Sequence, residues 1–327
     1  MISTGLPQLN GLAWRPLTPS DAEAMSQLAT DCNAVDRTHL ITPVEMAEEF
    51  ARFGDHAATD SVGAFAGDGR LLAFAWAIVL PTARTERRAI LWKMAHPDVR
   101  AAVDDPLVDW MEAAGTARLR TYDDDVPRGL YVYEIYDWLL AEQELYERHG
   151  YERARYFTEN LRDLSAPIDD VPLPDGLTAR PWSDAASQDA RDVHNAAFRD
   201  HWGSQPLNEE HWASFRSGEF FLPDRSWVVY DGDEPVAYVA CSQYPHDWED
   251  RGRTEGWIDG IGTIRSHRKR GIASALIAKA MRAFREDGLE YACLGVDAAS
   301  PTGANAIYER HGFVPEKRSI TYRKAVD

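Results

Sequence analysis

The sequence predicts a mixed α/β protein made of two copies of one fold, and three observations predict it. Tyr146-Glu-Arg-His-Gly-Tyr151 returns as Tyr308-Glu-Arg-His-Gly-Phe313, an offset of 162 from position 146 to position 308. Gly11-Leu-Ala-Trp-Arg-Pro16 returns as Gly176-Leu-Thr-Ala-Arg-Pro181, an offset of 165 from 11 to 176. Matched beginnings and matched ends at nearly one spacing mean a duplication, not a solenoid. Between the copies, residues 163–175 are rich in Pro and Asp and carry no periodic apolar pattern, which is linker chemistry. The expected organisation is therefore a domain over 1–165, a linker over 166–175 and a domain over 176–327.

Both copies run through the same elements. A strand over 12–16, or 177–181, opens each one. Helices follow, at 20–29 and at 185–198. A strand pair comes next, at 62–65 with 71–79 and at 226–230 with 235–240. Asp68-Gly69 and Asp231-Gly232 supply the hairpin turns. A further strand, a loop, a helix and a last strand complete the order. In the second copy these start with a strand over 257–264 and a strongly amphipathic helix over 272–286. Ala273, Leu276, Ile277, Ala280 and Phe284 share one face of that helix; Lys279, Arg282, Arg285 and Glu286 take the other. Gly288 follows as the C-terminal stop.

Composition bounds the function. The chain has 327 residues, 44% hydrophobic and 27% charged, with 53 acidic against 35 basic residues and a net charge of −18. That is a soluble globular composition whose charge disfavours nucleic acid and anionic membranes and attracts cationic small molecules. Three scattered cysteines, Cys32, Cys241 and Cys293, form no C-x-x-C pair and suit a reducing compartment. The start of the chain lacks a signal core and no apolar run reaches spanning length. A cytoplasmic protein is expected. His194, His201 and His211 have no metal-ligand spacing, so no metal is expected.

The most informative stretch is Arg268-Lys-Arg-Gly271-Ile-Ala273, between the strand at 257–264 and the helix at 272–286. A glycine-rich turn opening a helix leaves backbone N–H groups pointing outward. The helix dipole adds to them, and the result suits a phosphate or pyrophosphate. Arg268, Lys269 and Arg270 supply charge. Gly271, Ile272, Ala273 and Ser274 supply main-chain amides. In the first copy His96-Pro-Asp-Val-Arg100-Ala-Ala-Val103-Asp-Asp105 occupies this place. Val103 and Asp105 there would block and repel a pyrophosphate, so that copy is expected to be degenerate.

Strand, R-x-x-G-x-A and helix together resemble the acyl-coenzyme A loop of the GCN5-related N-acetyltransferases, the GNAT family. Asp297-Ala-Ala-Ser300-Pro-Thr-Gly-Ala304-Asn-Ala-Ile-Tyr308-Glu-Arg-His-Gly312-Phe313 resembles the family's C-terminal signature. The two copies resemble the tandem architecture of the mycothiol-synthase type. The resemblance implies that each copy has a central, mostly antiparallel twisted sheet flanked by helices. It implies acetyl-coenzyme A as cosubstrate, bound by the second copy, and a primary amine of a small molecule as acceptor. Backbone groups of Ile261 and Thr263 are then expected along the pantetheine arm, with Ser300 beside the coenzyme where many members have Asn.

Tyr308 matches the tyrosine expected to protonate the departing thiolate. With reference pKa values of about 10 for Tyr and 8.5 for a thiol, that transfer needs a buried, more basic sulfur or a hydrogen bond to it. The general base is where the pattern departs from the family, because Trp257 stands where several relatives carry Glu. Glu255 and Asp259, two residues to either side, are the candidate bases. His201 and Trp202 resemble a loop that faces the acceptor in tandem relatives, and Trp257 is a further candidate contact. A displaced base favours a less basic acceptor. A lysine-like amine costs about 4–5 kcal/mol to neutralise at pH 7, an α-amino group about 1. The alternative is a non-catalytic acyl-coenzyme A sensor or interaction module.

Overall fold

The computed structural model describes residues 6, 11–80, 82–199, 201–216, 218–299 and 303–326. The chain divides into two compact units, Met1–Tyr156 with Ser319–Asp327, and Phe157–Arg318. The first half of the sequence carries β1 (Leu12–Arg15), α1 (Ala22–Asp36), α2 (Pro43–Phe53), α3 (Ala57–Asp60), β2 (Ser61–Ala66), β3 (Leu71–Val79) and β4 (Arg87–Ala95). α4 (Pro97–Leu119), β5 (Arg128–Tyr136), α5 (Leu140–Arg148) and β6 (Glu152–Asp163) complete it. The second half carries β7 (Leu177–Pro181), α6 (Asp184–Ala197), α7 (Glu209–Arg216), β8 (Trp227–Asp231), β9 (Glu234–Gln243) and α8 (Trp248–Arg251). Then come β10 (Glu255–Thr263), α9 (Ile272–Glu286), β11 (Tyr291–Asp297), α10 (Ala304–Arg310) and β12 (Val314–Val326).

In the first unit β1 to β4 pair antiparallel in sequence order. β4 pairs parallel with β5, and β5 pairs antiparallel with β12 from Ser319 onward. The second unit repeats this order: β7 to β10 antiparallel, β10 with β11 parallel, β11 antiparallel with β6. Each parallel pair is the one joined through a helix, α4 or α9, as a parallel crossover requires. Each sheet is closed by a strand from the other half of the sequence. The unit boundaries therefore fall inside β6 and β12, not in residues 166–175, where composition placed a linker. A strand's partner is set by hydrogen bonds to residues far along the chain, which local composition does not report.

α9 shows why the second unit is firmly built. Leu276, Ile277, Ala280, Met281 and Phe284 recur at helical spacing, all are buried, and they pack on Ile258 of β10 and Leu294 of β11. The helix ends on Gly288 at φ +80°, with Leu289 N–H returned to the Phe284 carbonyl. This anchored face sets the direction of the helix start. On the opposite face of β9, α6 and α7 contribute Ala190, Val193 and Trp212, which pack on Tyr238.

In the first unit no loop replaces the glycine turn. α4 begins at Pro97 and runs through Arg100, Val103 and Asp105, so the stretch expected as a degenerate loop is helix. Val103, Leu107 and Met111 are fully buried along one face, and that burial decides the conformation. His96 caps the start, its Nδ1 accepting from Asp98 N–H at 3.2 Å, and Pro97 has no N–H to offer. Lys93, 3% exposed, joins Asp104 of α4 at 2.8 Å and Glu142 of α5 at 3.0 Å. Arg100 holds Asp36 through two bonds at 2.9 and 2.7 Å. Arg100→Leu is therefore expected to lower stability by about 1.5–3 kcal/mol, the worth of hydrogen bonds to a charged group. Affinity for acetyl-coenzyme A should not change. Thermal unfolding and calorimetry check both halves of this expectation.

Candidate active site

The site grows from an interruption in the second sheet. β10 and β11 pair only at Glu255–Tyr291, Gly256–Ala292 and Trp257–Cys293. Beyond Trp257, β10 keeps its antiparallel partner β9 as far as Thr263, while β11 keeps β6 as far as Asp297. The two strands diverge into a wedge, and Ile261 and Thr263 lie on its β10 side. An extended ligand in the wedge would meet main-chain edges that have strand partners on one side only.

A bulge at Asp259 marks the opening. Its effect appears in what the glycines face. A Cβ at Gly256 would strike Phe284 of α9, whereas one at Gly260 would strike the Tyr238 hydroxyl at 2.9 Å. Strict alternation would send both to the same face. One inserted residue reverses the later half, so Ile258 and Ile261 both pack toward α9, while Asp259 joins Gly260 on the α6–α7 side. The extra residue is Asp259, next to Gly260.

The wedge leads into the turn before α9. Lys269 and Gly271 both have positive φ, +63° and +90°, and Gly271 is the N-cap residue of α9. No side chain caps the helix. A Cβ at Gly271 would meet nothing within 4 Å, so the space over the main chain is open. Ile272, Ala273 and Ser274 present the first amides of the helix there. An anion of pyrophosphate size fits this arrangement.

The three basic residues divide their work. Arg268 was expected to face phosphate, but its Nε donates to Thr263 O at 3.2 Å and its Nη2 to Ala197 O at 2.6 Å. It clamps the turn to β10 and α6. Lys269 is exposed, and Arg270, also exposed, lies 3.8 Å from Asp231. These two carry the charge that remains for a ligand.

Tyr308 lies on α10, 8% exposed, in the packed cluster that contains Ile258, Leu294 and Val296. Its hydroxyl has no hydrogen-bond partner among the described residues, and burial pushes its pKa up to about 12. The phenol is therefore neutral near pH 7. Ser300 lies outside the described residues.

The two candidate bases have different surroundings. Glu255 is 1% exposed, bonded to Arg253 Nε at 2.7 Å and to the Trp257 indole at 3.0 Å, with Arg251 at 3.2 Å. A proton added there would break an ion pair, and the Trp257 indole N–H is already given to this carboxylate. Asp259 stays open to solvent on the floor of a cleft whose protein walls raise its pKa above the ordinary carboxyl value. The Arg216 charge and bonds from Ser242 and Tyr244 oppose that rise without cancelling it. The Tyr244 hydroxyl is 3.5 Å from Asp259 Oδ1.

His201 packs on Phe198, ring centroids 4.6 Å apart, and Trp202 is half-buried beside it. His194 donates to or accepts from the Tyr238 hydroxyl at 2.8 Å, and burial lowers its pKa to about 4. Sequence reasoning missed Arg216, Tyr238 and Tyr244. Only the spacing of Arg216 one helical turn after Trp212, where its guanidinium lies 5.1 Å from the indole, left a trace in the sequence. Among the described residues no cluster suits a metal ion, and no helix is long and apolar enough to cross a membrane.

Residues 187–313 match the sequence model of the acetyltransferase (GNAT) family. The mycothiol acetyltransferase of Salinispora tropica is 26% identical over 325 residues, 93% of this chain and 92% of that protein. Its counterpart from Salinispora arenicola is 30% identical over 187 residues, so the match spans 54% of this chain and only 57% of that relative. Among solved structures, a GCN5-related N-acetyltransferase from Sphaerobacter thermophilus superposes with a TM-score of 0.69 at 25% identity, covering 98% of this chain and 96% of that one. The fold is that of the GNAT acetyltransferases, and the chain spans a little over half the length of the Salinispora arenicola relative it matches. The second half of the chain is thus similar to the GNAT acetyltransferases.

Proposed function

We propose that the second unit transfers an acetyl group from acetyl-coenzyme A to a primary amine of a small molecule, by direct attack in a ternary complex. The observation that carries this reading is the wedge between β10 and β11 opening onto the uncapped start of α9. The amides of Ile272, Ala273 and Ser274 would hold the pyrophosphate, and the β10 edge at Ile261 would align the arm. The acceptor attacks as its neutral amine, and Asp259 takes, through a water molecule, the proton its nitrogen loses on becoming the amide, a proton that solvent returns to Tyr308. As the C–N bond forms and the C–S bond breaks, Tyr308 gives its proton to the departing sulfur. Holding both reactants in near-attack geometry supplies much of the rate. With its helix capped by His96 and Pro97, the first unit takes no part in coenzyme binding.

Tyr308→Phe tests the assignment. We expect kcat to fall about 10- to 100-fold, at or below the lower end for general acid catalysis, with the KM for acetyl-coenzyme A little changed. Coenzyme binding without turnover on a broad amine panel would return the protein to a non-catalytic acyl-coenzyme A module. An acceptor panel also tests amine basicity. Groups with pKa near 8 should outperform lysine-type amines, because neutralising them at pH 7 costs about 3 kcal/mol less.

A further inference from the structure

Arg216 ends α7 beside the cleft, and its surroundings are unusual for this chain. Its Nε is buried without a hydrogen-bond acceptor. Its guanidinium lies against two aromatic rings, 5.1 Å from Trp212 and 5.7 Å from Phe221. No carboxylate among the described residues is within ion-pairing distance of it, although the chain holds 53 acidic residues against 35 basic ones. A half-buried guanidinium without a partner is costly, and an acidic protein has ample means to supply one. An unpaired cation retained here is better explained by a partner that arrives.

The bulge determines where that partner would sit. Nη2 of Arg216 is 3.5 Å from the place a Cβ would occupy on Gly260, and Asp259 precedes Gly260 on the same face of β10. A fixed positive group and a carboxylate thus stand side by side on one wall. Tyr244 and Phe220, rings 5.5 Å apart, and Trp257, 6.2 Å from Tyr244, line the neighbouring surface. Opposite charges this close complement a zwitterion. A simple anion would be repelled by Asp259 and by the net charge of −18. A phosphate dianion would call for more than one guanidinium. A carboxylate accepts the planar fork of a single arginine.

We infer that the acceptor is an α-amino acid or a close analogue, with its carboxylate on Arg216 and its amine on Asp259. This inference rests on the acetyl-transfer reading and names its substrate class. Arg216 is then an acceptor-binding residue, and the bulge is what places it within reach of the base.

The test compares the protein L-α-amino acids with their α-amides, in the full chain with acetyl-coenzyme A. The amides carry less basic amines, so any bias from basicity runs against the expectation. For the amino acid accepted best, kcat/KM should exceed that of its amide by roughly 100-fold, the worth of a charge-assisted pair. In Arg216→Gln that ratio should fall to within about threefold of one, and in Arg216→Lys to a value between, since Lys keeps the charge without the fork. Unchanged acetyl-coenzyme A affinity would show that the variants fold. A wild-type ratio near one, or a ratio that survives Arg216→Gln, overturns the inference and leaves acetyl transfer standing. Should no acceptor turn over, the acetyl-transfer reading fails, and calorimetry with the coenzyme complex decides the rest. Heat that requires the carboxylate and is lost in Arg216→Gln upholds the site; equal or absent heat for acid and amide overturns it.

Discussion

Gly271→Asp is expected to weaken acetyl-coenzyme A binding about 1000-fold while leaving the protein folded. Gly271 is the N-cap residue of α9 at φ +90°, with no side-chain cap and open space above it. Aspartate is one of the few residues that tolerate positive φ, at a cost of about 1–2 kcal/mol. Its carboxylate would accept from the amides of Ala273 and Ser274, as N-cap residues do. The helix would then be capped by its own chain, in the way His96 caps α4. A pyrophosphate would lose those two donors, each worth about 1.5–3 kcal/mol to a charged acceptor, and would meet a negative charge in their place. About 4 kcal/mol corresponds to three powers of ten in affinity. Titration calorimetry with acetyl-coenzyme A measures the loss directly. A dissociation constant within a few-fold of wild type would remove the start of α9 from the binding site.

Contrasting parts of this chain were legible for contrasting reasons. The range read for α9, residues 272–286, matches the structure because a single amphipathic face, a glycine at each end and a basic outer face all agree. The hairpins at Gly69 and Gly232 were equally plain, since both residues have the positive φ that their Asp-Gly turns demand. The first unit's α4 was not legible in this way. Its start was masked by Arg100, which falls where the second copy has a phosphate-loop residue but pairs with Asp36 instead. The exchange of β6 and β12 leaves no local mark, because only distant pairing defines it. Within the candidate site, motifs pointed to the loop and to Tyr308. The separate fates of Glu255 and Asp259 could not be read, since they depend on Arg251 and Arg253 closing over one carboxylate and a bulge turning the other into the cleft. Arg216 was hidden for the same reason: packing makes it important, and one sequence does not show packing.

Asp259→Asn is expected to lower kcat/KM for the amine about 1000-fold near neutral pH, within the range for loss of a general base. The shape of the pH profile carries more weight than the size of the drop. As the proposed base Asp259 would act only when ionised, and burial raises its pKa above the ordinary value. Wild-type kcat/KM should therefore rise with pH through that raised pKa, and rise again as the acceptor amine loses its proton. The asparagine variant should lack the lower limb and keep the upper one. The ratio of wild type to variant should be largest above the carboxyl pKa and shrink toward one as pH falls through it. A residue that merely shaped the cleft would lower the whole profile without altering its form. Glu255→Gln supplies the contrast. That carboxylate sits among Arg251, Arg253 and the Trp257 indole, so its loss should lower the unfolding temperature and leave both limbs in place. If Asp259→Asn stays within threefold of wild type on every acceptor, the proton leaves the amine by another route. The cleft carboxylate would then serve only to hold the ammonium group before attack.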